Sequence, residues 1–263
     1  MVTIEAQNLT LGYGRAVVVR DLSFSFLPGR MTGLVGPNGC GKSTIIKALS
    51  RVLEPQAGRV MINGRDVACI PRMELARLVG VVPQIPLLPS TFTGFEVVLM
   101  GRNPHLGFFR YEGENDLAKA WAAMEATRTA HLAQRRIGEL SGGEIQSVVI
   151  ARVLAQETEA ILLDEPTANL DIGRQIEALD LMRSLCNRGL TVGVALHDLN
   201  LAVQYCDRLI LLCGGGIAAE GSPAEVVTEG NIRAVYGAGS RVFSIDGLPA
   251  VLPRPSQRLR EQA

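Results

Sequence analysis

The sequence has few aromatic residues, no excess of either charge and no long apolar run. Phe, Trp and Tyr make up 5% of the 263 residues, too few for a protein that binds single strands by base stacking. Lys and Arg number 26, as do Asp and Glu, so the formal net charge is zero. A protein that binds DNA through its phosphates would be basic. No run of about 18 apolar residues is present that could span a membrane. We therefore expect neither a nucleic acid-binding protein nor an integral membrane protein.

Cysteine is scarce as well, and its spacing indicates neither a disulfide framework nor a zinc site. The five cysteines include no C-x-x-C pair, and their number is odd. The N-terminal stretch MVTIEAQNLTLGYG lacks the basic and then apolar order of a signal peptide. We therefore expect a cytoplasmic protein. The cysteines are Cys40, Cys69, Cys186, Cys206 and Cys213.

Length and apolar content predict one large domain. A chain of 263 residues with 47% hydrophobic and 20% charged residues can bury a sizeable core. Helical patterns dominate residues 86–156, so we predict a helical subdomain there within a single domain at 1–252. Residues 253–263 are polar and rich in Pro and Arg, which is typical of a flexible tail.

Short apolar runs alternate with helical patterns in the second half of the chain. The runs lie at Ala160–Leu163, Thr191–Leu196 and Leu209–Leu212, and a helical pattern at Arg174–Asn187 separates the first two. Earlier, apolar residues alternate over Leu22–Phe26, which predicts a strand. Strands that alternate with helices favour a parallel sheet with crossover helices. The sequence therefore predicts an α/β fold.

The strongest motif is GPNGCGKST at Gly36–Thr44, which fits G-x-x-x-x-G-K-[ST] after a predicted strand and before a predicted helix. Glycines let backbone N–H groups face a phosphate, and the helix N-terminus favours the same anion. Lys42 would reach the β- and γ-phosphates, and Ser43 would offer its hydroxyl to Mg²⁺. The alternative to a phosphate loop is a chance glycine-rich turn. Within the motif, Cys40 is interpreted as a small loop residue rather than as a redox switch. The predicted nucleotide-binding residues are Gly36, Pro37, Asn38, Gly39, Cys40, Gly41, Lys42, Ser43 and Thr44.

A second motif, ILLDEP, ends an apolar strand in two acids. A carboxylate at the carboxyl end of a sheet strand can face a ligand in the crevice. Asp164 would hold Mg²⁺, and Glu165 would take a proton from the attacking water. Acids after an apolar run often mark only a strand end, but here they accompany a phosphate loop.

The third motif is LSGGE, in which Ser141 and Glu144 have the spacing of a capping box. A capped amphipathic helix explains these residues by itself. However, Gly142 and Gly143 weaken a helix, and they also allow a phosphate to approach its unpaired N–H groups. Because the chain already has a phosphate loop, this second anion site suggests a second molecule across a sandwich.

In order and spacing, these motifs resemble the ATP-binding cassette (ABC) ATPases over roughly residues 2–237. The resemblance implies a P-loop NTPase core with N-terminal antiparallel strands and a helical insertion, with ATP and Mg²⁺ as cofactors. It also implies a head-to-tail homodimer in which Ser141, Gly142, Gly143 and Glu144 face the ATP of the other subunit. Asp171, in the motif ANLD, matches the loop that crosses this interface.

The resemblance assigns three further residues. Tyr13 matches the aromatic residue that stacks on adenine, although a Tyr in a glycine-rich turn needs no such role. Gln84 matches the glutamine that touches Mg²⁺ and the attacking water. His197 matches the histidine that contacts the γ-phosphate, although a lone His beside an Asp is more often a surface pair. Many relatives carry Arg where this chain has Ile145 and Ser147, so the contacts of those arginines cannot be carried over.

Three stretches resemble the subgroup that serves iron–siderophore, haem and cobalamin uptake. This resemblance implies an importer ATPase bound to permease subunits on the cytoplasmic side of the bacterial inner membrane. It implies an indirect partner, a periplasmic or lipid-anchored substrate-binding protein, and no nucleic acid. The alternatives are an importer for another solute such as molybdate or zinc, an efflux ABC ATPase, or a non-transport ATPase. The stretches are Met100–Pro104, His197–Ala202, and Gly221–Val226 with Ile232–Tyr236.

Overall fold

The structure, a computed structural model, describes residues 1–106, 111–168, 170–237 and 239–253. Its strands are β1 (Ile4–Tyr13), β2 (Ala16–Phe26), β3 (Met31–Val35), β4 (Ala57–Ile62), β5 (Arg65–Asp66), β6 (Val79–Val82), β7 (Ala160–Asp164), β8 (Thr191–Ala195), β9 (Arg208–Cys213), β10 (Gly216–Gly221), β11 (Ser240–Ile245) and β12 (Leu248–Pro253). Its helices are α1 (Lys42–Leu49), α2 (Arg72–Leu78), α3 (Gly94–Leu99), α4 (Glu114–Ala126), α5 (Gly142–Ala155), α6 (Ile172–Asn187), α7 (Leu199–Tyr205), α8 (Pro223–Val226) and α9 (Glu229–Tyr236).

The central sheet has the strand order β10-β9-β3-β8-β7-β6. The pairs within β9-β3-β8-β7-β6 are parallel, and only β10 is antiparallel, against β9. Every residue of β3, β7 and β8 is buried, as expected for parallel strands that are covered on both faces. The predicted α/β fold with a parallel sheet is confirmed.

A second, antiparallel sheet has the order β2-β1-β4-β5. Leu22, Phe24 and Phe26 of β2 are buried while Ser23 is exposed, so the alternation seen in the sequence places one face of this strand in the core. Helix α1 packs between the two sheets, and α5, α6 and α7 cover the opposite face of the central sheet. The expected N-terminal antiparallel strands are therefore present.

Helices α3, α4 and α5 pack around a separate apolar cluster that includes Val98, Met124 and Val148. They lie within the region for which the sequence predicted helices. Residues 86–93, at the start of that region, form neither helix nor strand. This helical unit joins the rest of the molecule through α5, which also packs against the central sheet.

Arg102, in the stretch Met100–Pro104, fixes the helical unit to the end of α5. Its guanidinium is 3% exposed. It donates to Asp116 Oδ1 at 2.9 Å, to the carbonyl of Ala155 at 2.7 Å and to Glu157 Oε2 at 2.9 Å. The Arg102 hydrogen bond also holds the pKa of the Asp116 carboxyl below its usual range. This stretch, which marked a subgroup in the sequence, therefore has a structural role.

The C-terminal hairpin corrects one boundary of the sequence prediction. Pro253, assigned to a flexible tail, is the last residue of β12 and pairs with Ser240 of β11. The rest of the predicted tail, 254–263, lies outside the described residues. Asp246 and Gly247 turn the hairpin with positive φ angles of 51° and 81°, and Asp-Gly is a strong hairpin signal. Cross-strand pairing therefore makes Pro253 part of the hairpin.

Among the described residues, no helix has both the length and the apolar character needed to cross a bilayer.

Gly193 tests how tightly the two sheets pack. A Cβ on Gly193 would lie 2.2 Å from Cε2 of Phe26 and 2.9 Å from Cδ2 of Leu162. We expect Gly193→Ala to lower the free energy of unfolding by about 1–3 kcal/mol because these buried groups must shift. Gly230→Ala adds the same atom on α9 with only Thr228 Oγ1 nearby, at 4.0 Å, and should not lower the free energy of unfolding, because alanine favours a helix more than glycine does. Equal thermal denaturation curves for the two variants would contradict this packing.

Candidate functional site

The phosphate loop runs from the end of β3 to the start of α1. Gly36 and Gly41 have φ angles of 150° and 107°, which side chains rarely adopt. A Cβ on Gly36 would lie 2.5 Å from the carbonyl oxygen of Leu212, and one on Gly41 would lie 2.4 Å from Cγ1 of Val19. Both positions therefore require glycine, for conformation and for space. The loop leads into α1, whose N-terminus favours an anion.

Lys42, the first residue of α1, folds back over the loop. Its side chain is 4% exposed. Its Nζ donates to the carbonyls of Gly36 at 2.9 Å and Pro37 at 3.2 Å. The ammonium group is therefore held where the loop curls, a position from which its positive charge can attract a phosphate.

Ser43 and Asp164 come together beneath the loop. The Ser43 hydroxyl donates to Asp164 Oδ1 at 2.9 Å, which joins the first turn of α1 to the end of β7. Burial raises the pKa of the Asp164 carboxyl, and the Ser43 hydrogen bond opposes this shift. A hydroxyl and a carboxylate are hard oxygen ligands, which suit Mg²⁺. In the described ranges, no group of three or more His, Cys, Asp or Glu side chains is placed to hold a metal ion.

Glu165, Gln84 and His197 follow the three neighbouring strands β7, β6 and β8, at the same edge of the sheet. Gln84 Nε2 donates to Glu165 Oε2 at 2.6 Å, and His197 Nε2 contacts Glu165 Oε1. Each oxygen of this carboxylate thus has its own partner. The side chain of Glu165 is 8% exposed, whereas that of His197 is 45% exposed and can reach a ligand.

Glu165 also has a left-handed backbone, with φ at 51°, which costs a non-glycine residue about 1 kcal/mol. Its N–H donates to the carbonyl of Ala195 on β8 at 3.1 Å. This hydrogen bond holds the strained backbone beside the neighbouring strand. The carboxylate is therefore positioned by its backbone as well as by Gln84 and His197.

These groups line one cavity of about 420 Å³, a size typical of a small-molecule site. Sequence reasoning did not identify Val18, whose only signal was its place on a strand beside the loop. Gly36, Pro37 and Cys40 shape the loop without lining the cavity, and Asp164 reaches it through Ser43. The lining residues are Val18, Asn38, Gly39, Gly41, Lys42, Ser43, Thr44, Gln84, Glu165 and His197.

Tyr13, predicted to stack on adenine, does not line this cavity. It lies at the end of β1 and is 50% exposed. Lys47 Nζ lies 5.8 Å from the centre of its ring and donates to its hydroxyl at 3.4 Å. Because half of this residue is exposed, a planar group could reach its ring.

The LSGGE residues are also outside the cavity. Ser141 is the N-cap of α5, and its N–H and hydroxyl both donate to Glu144 Oε2 at 2.8 Å. The N–H of Glu144 donates in return to the Ser141 hydroxyl at 3.3 Å, so the predicted capping box is present. The Ser141 N–H bond lowers the pKa of the Glu144 carboxyl. Gly142 is exposed, with open space where a Cβ would lie.

Asp171 caps α6 in the same manner, accepting from the N–H of Arg174 at 2.9 Å. It is exposed and likewise lies outside the cavity. Within one chain, none of the five residues predicted to act in trans lines the cavity around the phosphate loop. They are Ser141, Gly142, Gly143, Glu144 and Asp171.

Comparison with known proteins identifies the family. The ABC transporter family matches this chain over residues 19–168. The ferric enterobactin transport ATP-binding protein FepC of Escherichia coli (strain K12) is 40% identical over 253 residues, covering 95% of this chain and 93% of FepC. The iron(3+)-hydroxamate import ATP-binding protein FhuC of Bacillus subtilis (strain 168) is 41% identical over 259 residues, covering 98% and 93%.

Solved structures agree. A structure described as an inward-facing ABC transporter of the metal-chelate type has a TM-score of 0.82 at 27% identity, covering 97% of this chain and 98% of that chain. A dimeric bacterial ABC transporter cassette has a TM-score of 0.76 at 28% identity, covering 83% and 98%. The resemblance seen in the order of the motifs is confirmed, and the chain belongs to the ATP-binding subunits of the ABC transporter family.

Proposed function

We propose that this chain is the ATP-hydrolysing subunit of an importer that takes up an iron chelate, such as a siderophore or haem complex, or a related metal complex such as cobalamin. The observation that carries this proposal is the similarity of the chain to ATP-binding proteins that are named for iron-chelate import. FepC and FhuC are named for transport of ferric enterobactin and iron(3+)-hydroxamate, and a 40% identical protein of Bordetella pertussis is a hemin import ATP-binding protein.

Within the cavity, each residue has a role suited to its chemistry. The loop N–H groups and Lys42 bind the phosphates. Ser43, Asp164 and Gln84 would hold Mg²⁺, which neutralises phosphate charge when bound. Glu165 accepts the proton of the attacking water, and the amide of Gln84 orients that water. His197, exposed and in contact with Glu165, donates toward the γ-phosphate.

The signature residues 141–144 act on the ATP of a second copy. Gly142 leaves N–H groups at the start of α5 open to an anion, and within one chain the phosphate loop lies elsewhere. Two copies related by a two-fold axis would satisfy both sites, with Asp171 crossing between them. Tyr13 would stack on the adenine. The dimeric arrangement of a similar cassette supports this proposal.

A membrane permease is the proposed second partner. One exposed apolar side chain, Val52, borders a groove of about 380 Å³ along α2, and two more follow Gln84 in the chain. Val52 is 74% exposed, Ile85 75% and Leu87 94%, and Ile85 directly follows Gln84. Exposed apolar side chains that directly follow the proposed catalytic glutamine in the chain suit a partner that responds to the nucleotide state. The chain would then lie on the cytoplasmic face of the membrane, with a substrate-binding protein as an indirect partner. We also propose that the chain acts as one domain that includes the C-terminal hairpin through Pro253, with a helical subdomain within 86–156.

Lys42 is expected to carry much of the ATP affinity. Lys42→Ala should raise the Kd for ATP by about 10–100-fold, because a buried charge-assisted bond to phosphate is worth about 1.5–3 kcal/mol. Titration calorimetry measures this change. Lys119→Ala, on the helical unit and remote from the loop, is the matched control and should bind as the wild type does. Equal affinity in the Lys42 and Lys119 variants would contradict the phosphate-binding role.

The whole proposal is tested by copurification and transport. The chain is expressed with candidate permeases, and ATP-dependent uptake is measured with ferric siderophores, haem and cobalamin, with molybdate and zinc as competing solutes. Uptake of an iron chelate is the expected result. Uptake of molybdate or zinc alone would reassign the solute. ATPase activity without any permease partner would favour a non-transport ATPase.

A further inference from the structure

The C-terminal hairpin is joined to the helix that follows His197. Asn200, in the first turn of α7, bonds both backbone groups of Val251 in β12. Its Oδ1 accepts from the Val251 N–H at 2.8 Å, and its Nδ2 donates to the Val251 carbonyl at 3.3 Å. One side chain thus completes the pair of bonds that a neighbouring strand would make. The two residues are 51 positions apart in the sequence.

Asn200 belongs to the same short turn that places His197. Asp198 caps α7, and its Oδ1 accepts from the N–H of Asn200 at 2.7 Å and of Leu201 at 3.1 Å. On the other side, the Leu196 N–H donates to the carbonyl of Leu34 in the central sheet at 3.0 Å. The backbone is therefore held on both sides of His197, by the central sheet before it and by the first turn of α7 after it.

The hairpin is itself held firmly enough to act as an anchor. Val242 of β11 and Val251 of β12 pack against the apolar cluster beneath α7. The Val242 N–H donates to Glu229 Oε1, at the start of α9, at 3.3 Å. The hairpin thus contacts α9 and α7 at once, although none of its residues lines the nucleotide cavity.

We propose that Asn200 is a positioning residue for hydrolysis, and that it holds His197 against Glu165 by tying the first turn of α7 to β12. This inference rests on the proposed role of His197 at the γ-phosphate. His197 is exposed, so packing alone does not fix its ring. The direction in which the turn presents the ring therefore decides whether it reaches the γ-phosphate. A small displacement of a catalytic group can lower a rate by up to about 100-fold.

The first test separates kcat from KM. Asn200→Ala removes both bonds to Val251, and we expect kcat for ATP hydrolysis to fall about tenfold while KM for ATP stays within about twofold. Asn200→Asp keeps the acceptor for the Val251 N–H and loses the donor to the Val251 carbonyl. Its kcat should therefore lie between that of the wild type and that of Asn200→Ala. Because this variant keeps one bond, it also carries the test if Asn200→Ala fails to fold.

Asn231→Ala is the matched control. Asn231 also donates from its amide to a backbone carbonyl of the C-terminal region, that of Val226 at 2.9 Å, but does so on α9. The control should match the wild type in kcat even where its melting temperature falls. Equal kcat losses in the Asn200 and Asn231 variants would show a general structural effect and overturn the inference.

The second test asks whether Asn200 acts through His197. In a His197→Ala background, Asn200→Ala should cause no further loss of kcat, because no ring remains to be positioned. A further tenfold loss there, or wild-type kcat in both Asn200 variants, would overturn the positioning role. Wild-type kcat in His197→Ala alone would refute the role of the histidine, and with it the inference. That failure is recognised in the single variant, without reference to Asn200.

Discussion

ATP hydrolysis by the Glu165→Gln variant is expected to fall by about 10²–10⁴-fold, the contribution of a positioned general base. Glutamine keeps the shape of the side chain but cannot accept the proton of the attacking water. Binding of ATP should survive, because the proposed phosphate contacts come from the loop and Lys42 rather than from Glu165. The variant should therefore accumulate in its ATP-bound form.

Turnover is measured by phosphate release, and affinity by titration calorimetry. Glu159→Gln is the matched control, since Glu159 immediately precedes β7 at its opposite end and pairs with the N-terminal amine. It should hydrolyse ATP at the wild-type rate. Wild-type turnover in Glu165→Gln itself would refute the assignment of the base.

Ser141→Arg, introduced into the Glu165→Gln protein, is expected to abolish most ATP-dependent dimerisation. Arginine at the N-cap of α5 would fill the space that the nucleotide of the second copy must enter. We expect association to weaken by at least about tenfold, since a clash with an unpaired charge costs more than about 1.4 kcal/mol. Light scattering with and without ATP measures the dimer.

Loss of a helix cap also lowers stability by about 1 kcal/mol, so the control must share it. Ser222, at the N-cap of α8, makes the matching pair of bonds, since its N–H and its hydroxyl donate to Glu225 Oε2 at 2.7 Å and 2.8 Å. Ser222→Arg should therefore lose a similar cap and still dimerise. If Ser141→Arg forms an equally strong dimer, the signature helix does not bind nucleotide in trans.

The phosphate loop could be predicted because its chemistry is local. Its glycines, Lys42 and Ser43 lie within nine consecutive positions, and their conformational demands are visible in residue type alone. The contact of Glu165 with Gln84 joins residues 81 positions apart, and it depends on the strand order β8-β7-β6. Apolar runs predict strands but not which strands are neighbours, so the roles of Gln84 and His197 came from the family resemblance.

The hairpin and its link to α7 were not predicted. Apolar residues fall on both faces of β11 and β12, so these strands show little of the alternation that marks a half-buried strand. Asp246-Gly247 was the available signal. The bond from Asn200 to Val251 left no signal in the sequence, because its partner is a backbone group that any residue type would supply. Such contacts follow from the path of the chain and cannot be inferred from residue type.

The buried position of Arg102 bears on how sequences of this family are classified. Its guanidinium holds together the Asp116 helix and the end of α5, so the stretch Met100–Pro104 records how the helical unit is attached. A search profile built on that stretch would group chains by shared assembly of their subdomains. The transported solute is then expected to be set by the proposed permease and substrate-binding protein rather than by this stretch. Two chains that share this stretch are therefore expected to share the attachment of their helical unit, even where they serve different transported solutes.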